Sequence, residues 1–359
     1  MKRNHTHCYL QSSPWLLITL LCLYLGSTSC KQDHLPTIST GGHDYAQINL
    51  VGDSTSMAAT RIDTNLSAPW GMAVSSGGTI WICCNHNGRC VTYDSDGNQL
   101  YSPVATPLNG THYGASPNGI IFNNTGDFMV GGKPVYCICS TEDGALIAWN
   151  GADSTISVAD RSASRAMYKG ITIANDGTGN YIYATDFLNA KIDVYDKSFN
   201  YVTDKSFEDP TMPAGFAPFN ISNIGGKLFV TYAKQQYPDF NEAENGLGNG
   251  YVDVFSPDGS LIKRFASQGT LNAPWGIAQA PVGFGQITNA ILIANYGDGH
   301  ITVFDTSGVY QGLVENNGNP IAVAGLCDIS FIGANTSRLY FTAGPSYTAS
   351  GLFGYLKAQ

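Results

Sequence analysis

The sequence predicts an all-β fold, a six-bladed β-propeller. Along the 359 residues a short motif recurs six times. It begins with a polar or aromatic residue, its second residue is usually glycine, and a β-forming apolar stretch follows. The second residues of these phrases lie 48 to 56 positions apart, which is typical of a repeat architecture. Each unit carries two or three further β-like runs, so we expect a four-stranded blade per unit and a closed ring of six. The phrases are Trp70–Ala73, Asn118–Ile121, Lys169–Thr172, Phe219–Ser222, Trp275–Ala278 and Cys327–Ser330.

The fifth unit shows the expected strand order within a blade. From the inside outward its strands are Gly276–Gln279, Ala290–Asn295, His300–Asp305 and Val309–Val314. The Gly and Asp of the turn 295–299 are residues that hairpin loops need. The second and third strands of other units are Thr79–Cys84 with Cys90–Asp94, Tyr181–Asp186 with Lys191–Asp196, and Lys227–Ala233 with Tyr251–Ser256.

The sixth unit is one strand short of a blade. After Arg338–Ala343 and Gly351–Leu356 the sequence ends, whereas the β-rich stretch Tyr45–Val51 has no unit of its own. Pairing this N-terminal strand with the last blade would close the ring and remove exposed strand edges. We therefore predict a propeller over residues 45–357.

The N-terminal residues 1–29 are typical of a lipoprotein signal peptide. A basic start is followed by the apolar run Trp15–Leu25, by small residues, and then by Cys30 as the lipidated residue. Ser27 stands where an aliphatic residue is usual, so an ordinary secretory signal remains the alternative. We expect an exported, extracytoplasmic lipoprotein, of the bacterial outer membrane, periplasm or cell surface. The lipid anchor would be its only membrane contact, and residues 30–44 would form a flexible tether.

Composition and motifs exclude several functions. The net charge is −9 with only 18 Lys and Arg, so a nucleic-acid duplex would be repelled and we expect no nucleic-acid partner. The sequence has no HExxH zinc helix, no P-loop and no GxSxG elbow. Catalytic residues therefore stay unknown.

The cysteines are too sparse for a disulfide scaffold. Cys83, Cys84 and Cys90 flank a turn containing Asn87-Gly88, a hairpin signal. With a two-residue turn, Cys83 and Cys90 would be diagonal neighbours, a long spacing for a disulfide. A zinc site that also uses Cys137 and Cys139 lacks the CxxC spacing, so buried strand residues are favoured. The disulfide status of Cys83, Cys84, Cys90, Cys137 and Cys139 is left open.

The mouth of the central channel is the predicted ligand site. Residues that start the first strands, or end the antiparallel second strands, should share this rim and offer carboxylates, amides, lysines and large aromatic rings. The three aromatic residues could instead plug the axis. The candidates are Trp70, Asn85, Asn118, Glu142, Lys169, Asp186, Phe219, Lys234, Trp275 and Asn295, beside Cys327.

Two units depart from the repeat. The second unit has an extra segment, Asp127–Pro134, before its second strand. The fourth has an insertion at residues 235–250 that carries Asp239, Glu242 and Glu244. Long loops on a rigid scaffold often carry function, although they also tolerate sequence drift well.

The units resemble NHL-type propeller repeats, as in APWGIA from Ala273, ILIAN from Ile291 and ITVFD from Ile301. The chain is similar, more closely, to an uncharacterised family of exported bacterial six-bladed propellers. This resemblance covers residues 45–356 and implies fold and export but no activity. That family usually has Trp-Gly where this chain has Cys327-Asp328. The phrases that carry it are STEDG from Ser140, MYKGI from Met167, PAGFAPFNI from Pro213, IGGKLFVTYAKQ from Ile224 and LNAPWGIA from Leu271.

Two functions fit these features. The first is a binding or scaffold module for a small molecule, glycan, peptide or partner protein. The second is a calcium-dependent lactonase-like or other hydrolase acting at the channel mouth. Calcium is the expected cofactor of such a hydrolase because several rim residues offer the hard oxygen ligands that it prefers. Convergence of three such oxygens would favour the hydrolase, whereas a mouth blocked by Trp70 and Trp275 would favour binding elsewhere. The oxygen ligands are Asn85, Asn118, Glu142, Asp186 and Asn295.

Overall fold

The computed structural model describes residues 44–107, 115–333, 335–345 and 349–359. The signal peptide, Cys30 and the tether up to residue 43 therefore lie outside the described residues. No helix in the described part is long and apolar enough to cross a membrane.

The described strands form six antiparallel blades, which confirms the predicted β-propeller. The first blade contains Pro69–Val74, Ile80–Cys84, Arg89–Tyr93 and Val104–Ala105. The second contains Pro117–Phe122, Cys137–Thr141, Ala145–Trp149 and Ile156–Asp160, and the third contains Tyr168–Asn175, Asn180–Asp186, Lys191–Tyr195 and Tyr201–Val202. The fourth contains Phe216–Ile224, Lys227–Lys234, Gly250–Phe255 and Leu261–Ser267, and the fifth contains Pro274–Gln279, Ile291–Asn295, Ile301–Phe304 and Tyr310–Leu313.

The sixth blade is closed by the N-terminal strand, as the sequence predicted. Its own strands are Leu326–Ile332, Asn335–Ala343 and Leu352–Ala358. Tyr45–Gly52 pairs antiparallel with the last of these, so that Ile48 lies opposite Tyr355. A short strand, Arg61–Ile62, adds a fifth, parallel member.

The remaining elements are small. The extra segment of the second unit forms a hairpin of Met129–Val130 and Lys133–Pro134, and Glu315–Asn316 pairs with Asn319–Pro320. Two 3-10 turns occupy Thr55–Met57 and Ser162–Ser164.

The hydrophobic core lies between neighbouring blades. Between the sixth and first blades, for example, the ring of Tyr93 stacks on Phe353 with centroids 5.6 Å apart. The last blade is therefore packed against the first by side chains as well as joined to the N-terminal strand. Both contacts make closure of the ring cooperative, because neither blade can bury this face alone.

Glycine at the second position of four repeats lets the inner strands approach closely. A Cβ on Gly71 would lie 2.6 Å from the Asn118 carbonyl oxygen, and one on Gly276 would lie 2.7 Å from that of Cys327. Such separations are far too short, so these positions need glycine. Asn220 and Asp328 occupy the same position in the fourth and sixth blades. Their side chains bond the backbone of the next blade, as described below.

Candidate functional site

Aromatic rings plug the predicted mouth of the channel. The Trp70 ring centroid lies 6.1 Å from that of Phe219 and 5.8 Å from that of Trp275, both in edge-on geometry. Tyr296 stacks on Trp70 at 5.2 Å. Trp70 is only 8% exposed, and Phe219 and Trp275 are 1% exposed. These three aromatic residues therefore plug the axis, which is the second of the two arrangements that the sequence left open.

A buried ion pair lies beside this plug. The Lys169 side chain is fully buried, and its Nζ donates to Glu142 Oε1 at 2.5 Å. Asn118 Nδ2 donates to the same oxygen at 3.0 Å, and Asn85 Nδ2 donates to Asn118 Oδ1 at 2.6 Å. The ammonium also lies 5.4 Å from the centroid of the Trp70 ring. Four predicted rim residues from three blades therefore form one hydrogen-bonded network.

Both members of the pair are charged at neutral pH. Burial alone would lower the pKa of Lys169, but the charges of Glu142 and Glu242 raise it above its ordinary value. Burial alone would raise the pKa of Glu142, but the charge of Lys169 and its hydrogen bond lower it. The charge on each residue thus holds the other in its ionised form.

Three predicted rim residues lie outside both the aromatic plug and this network. Asp186 is buried and accepts hydrogen bonds from the Met167 backbone N–H at 3.0 Å and from Asn189 Nδ2 at 2.7 Å. Asn295 is buried and donates to the Thr270 carbonyl oxygen at 2.7 Å. Lys234 is partly exposed and pairs with Glu244. The Asp186 and Asn295 side chains bond to nearby loops, because strand ends in this fold are also turn positions.

A small pocket of about 160 Å³ remains at the mouth. Two of its residues with polar side chains, Glu242 and Tyr296, were not among the predicted rim residues. Glu242 comes from the insertion of the fourth blade, which the sequence marked as a departure, and Tyr296 directly follows Asn295. The adjacent predicted residues Trp70, Asn85 and Glu142 complete the lining with Cys327 and backbone segments.

The oxygens proposed for calcium do not surround a free point. Asn85, Asn118 and Glu142 are brought together, but Asn118 Oδ1 already accepts from Asn85, and Glu142 Oε1 already accepts from Asn118 and from the Lys169 ammonium. Asp186 and Asn295 bond to loop groups of their own blades. A calcium ion at this network would therefore have to displace an internal cation. That the rim residues bind a ligand or a metal ion stays a prediction.

A larger cavity of about 660 Å³ occupies the central channel, on the other side of the plug. Sequence reasoning did not select it, although the signal was present: in every repeat an aliphatic residue follows the glycine position. One such residue from each blade lines the cavity, and each is buried. They are Met72, Ile120, Ile171, Ile221, Ile277 and Ile329.

Asn220 and Asp328, the two residues that replace the repeat glycine, also line this cavity, near Trp275 of the plug. Asn220 Nδ2 donates to the Trp275 carbonyl oxygen at 3.0 Å. Asp328 accepts the backbone N–H of Met72 at 2.8 Å on Oδ2 and that of Ile329 at 2.9 Å on Oδ1. Burial raises the pKa of Asp328 to about 7, although these two N–H groups oppose the shift. The inner part of the channel thus carries an amide and a carboxyl that titrates near neutrality.

The first hairpin corrects one expectation about the cysteines. Its turn has four residues, 85–88, so Cys84 pairs with Arg89 and Cys83 lies directly opposite Cys90. The diagonal arrangement expected for a two-residue turn is therefore wrong. The two Sγ atoms are 3.7 Å apart, and all five cysteines of these two blades are free and buried.

The fold defines a class of protein, the six-bladed β-propeller. The NHL repeat model matches residues 66–93. Two uncharacterised proteins of Acanthamoeba polyphaga mimivirus are similar over most of the chain. One is 31% identical over 328 residues, 86% of this chain and 85% of that protein. The other is 32% identical over 321 residues, 85% of this chain and 78% of that protein. The chain belongs to the same family as these proteins.

Solved structures share the fold at low identity. Virginiamycin B lyase from Staphylococcus aureus has a TM-score of 0.55 at 14% identity and covers 88% of this chain and 99% of its own. A gluconolactonase from Xanthomonas campestris has a TM-score of 0.50 at 16% identity and covers 81% and 87%. A calcium-binding regucalcin from Agrobacterium tumefaciens has a TM-score of 0.50 at 13% identity and covers 81% and 92%. Identities this low support a common architecture only.

Proposed function

We propose that this protein is a binding module that takes a small ligand into the open central channel. The observation that carries the proposal is the cavity of about 660 Å³, lined by one aliphatic side chain from each blade together with Asp328 and Asn220. Ligand pockets usually have volumes of about 300–1,000 Å³. The lining of this cavity is mixed, because polar residues such as Thr172, Ser222 and Ser330 lie beside the aliphatic ring. The plug at the opposite mouth would make the channel a blind pocket.

The lining favours a ligand that is neutral or positively charged. Among the residues that the structure describes, no Lys or Arg lines the cavity, whereas Asp328 can accept a hydrogen bond from a hydroxyl or an amine. The net charge of −9 attracts cations and repels anions. An amphipathic amine, or a peptide side chain of that character, would place its apolar body against the aliphatic ring.

The test uses N-phenyl-1-naphthylamine, a neutral apolar amine that fluoresces strongly when it leaves water. We expect the protein to bind it with one saturable site. Ser222→Trp narrows the channel from a half-buried position and should weaken binding at least tenfold. Ile262→Trp adds the same ring at a residue 46% exposed, outside the channel lining, and should bind as the wild type does. Equal affinities for the two folded variants would contradict the proposal.

The hydrolase alternative makes a different prediction in the same experiments. A calcium-dependent enzyme should melt at a higher temperature when calcium is added, because binding to the native state alone stabilises it. The calcium-binding neighbour of the same fold is the reason to include this arm. The channel proposal expects no shift with calcium and no effect of calcium on probe binding.

We further propose that the protein is exported and held at a membrane by lipid on Cys30. The support is the signal-like order of a basic start, an apolar run, small residues and a cysteine. Cys30→Ser should abolish incorporation of labelled palmitate and release the protein from the membrane fraction. Unchanged labelling and fractionation would show that Cys30 carries no lipid.

A further inference from the structure

Three buried thiols meet between the first and second blades. Cys83 and Cys90 come from adjacent strands of the first blade, and Cys139 comes from the second strand of the second blade. The Sγ of Cys90 lies 3.7 Å from that of Cys83 and 3.8 Å from that of Cys139, and all three atoms lie within 4.8 Å of one another. Each residue is at most 1% exposed. The fold thus gathers three sulfurs that the sequence spreads over 57 residues.

These spacings suit coordination of one metal ion. With a Zn–S bond of about 2.3 Å, two thiolates on a tetrahedral zinc are separated by about 3.8 Å, and on a trigonal ion of similar bond length by about 4.0 Å. Thiolates are soft ligands that select Cu⁺ and Zn²⁺ among the common cellular ions. The sulfurs therefore need little movement to become ligands.

A fourth cysteine lies near the three. Cys137 lies two residues before Cys139 on the same face of its strand and belongs to the same buried cluster as the three cysteines. Its sulfur lies outside the set within 4.8 Å, so a fourth bond to the metal would need a movement of this side chain.

We propose that Cys83, Cys90 and Cys139 bind one closed-shell thiophilic metal ion, Cu⁺ or Zn²⁺, that joins the first blade to the second. Binding displaces the protons of the coordinating thiols to solvent and changes no oxidation state. Cu⁺ can use the three sulfurs alone. Zn²⁺ in a structural site takes four ligands and would recruit Cys137. The ion enters as the protein folds, because the sulfurs have no open path in the native state.

The experiment refolds the reduced full chain with either Cu⁺ or Zn²⁺, removes free metal, and measures bound metal by plasma mass spectrometry. We expect one ion per chain and a higher melting temperature than for metal-free protein. Cys83→Ala and Cys139→Ala should lose the ion, whereas Cys84→Ala and Cys327→Ala, at buried cysteines outside the cluster, should retain it. If Cys137→Ala loses zinc but retains copper, copper is the ion that the three sulfurs bind without a fourth ligand.

A second measurement on the wild type avoids dependence on the variants. Cadmium bound by thiolates gives an ultraviolet charge-transfer band, which should saturate at one equivalent in refolded wild-type protein. The proposal is overturned if folded, reduced protein binds neither metal and gives no such band. It is also overturned if Cys84→Ala loses metal as Cys83→Ala does, or if peptide mapping finds a Cys83–Cys90 disulfide in the native protein.

Discussion

Replacing Lys169 by alanine should destabilise the protein far more than replacing Lys234. Lys169 is fully buried and donates to Glu142 at 2.5 Å, whereas the Lys234 and Glu244 side chains are 39% and 42% exposed. Both substitutions remove one lysine that pairs with one glutamate. They differ mainly in the burial of the glutamate that loses its partner, and Lys234→Ala is therefore the matched control.

The expected magnitude follows from this burial. Breaking a buried ion pair from one side costs about 3–5 kcal/mol, because the remaining charge is left without a partner. Glu142 is 23% exposed and can take up water, so Lys169→Ala should fall near the lower end, about 3 kcal/mol. Glu142→Gln leaves the ammonium of Lys169 in a fully buried position, so it should cost about 5 kcal/mol. Lys234→Ala should cost at most about 1 kcal/mol.

The assay is guanidinium denaturation at pH 7, followed by circular dichroism and by tryptophan fluorescence. The two probes should give coincident transitions before free energies of unfolding are compared. The double variant Lys169→Met with Glu142→Gln should recover most of the stability, because it removes both charges and keeps similar volume. The reasoning is refuted if Lys169→Ala and Lys234→Ala have the same free energy of unfolding, or if the double variant is as unstable as Glu142→Gln.

Three further outcomes follow. Deleting residues 45–53 removes the strand that closes the sixth blade, so the protein should aggregate or lose cooperative unfolding in size-exclusion and melting experiments; an unchanged melting temperature would contradict the closure. The raised pKa of Asp328 means that its folded form holds its proton more tightly than the unfolded chain does. Protonated Asp328 therefore adds to the free energy of unfolding below the unfolded pKa of about 4, and this contribution is lost as the pH rises through about 7. Asp328→Asn should therefore gain stability relative to the wild type between pH 5 and 8. Gly276→Ala should destabilise the protein by more than Gly126→Ala, because a Cβ at Gly276 meets backbone whereas a Cβ at Gly126 meets no atom within 4 Å; equal unfolding midpoints would argue against the close approach of the fifth and sixth blades.

The sequence allowed the architecture to be predicted because the repeat carries the same physical constraint in each blade. Gly71 and Gly276 recur since inner strands crowd the axis, and apolar runs recur since each blade must pack against the next. The surplus strand Tyr45–Val51 and the missing strand of the last unit together indicated the closure. The structure extends this strand by one residue, to Gly52.

The candidate site was less accessible from the sequence. The strand positions placed Asn118, Glu142 and Lys169 at one mouth, but they could not show that Lys169 lies within hydrogen-bond distance of Glu142. The cysteine register depended on turn length, which Asn87-Gly88 alone does not determine. Asp328 was noted as a departure from the repeat, yet its place in the channel follows only from the direction of its side chain.

A crystal structure of the protein soaked with N-phenyl-1-naphthylamine would test the central claim most directly. The channel proposal predicts electron density for the probe within the ring of aliphatic side chains, with its amine toward Asp328. Density in the pocket beside Glu242 and Tyr296, with an empty channel, would place the ligand site at the mouth instead and would contradict the proposal.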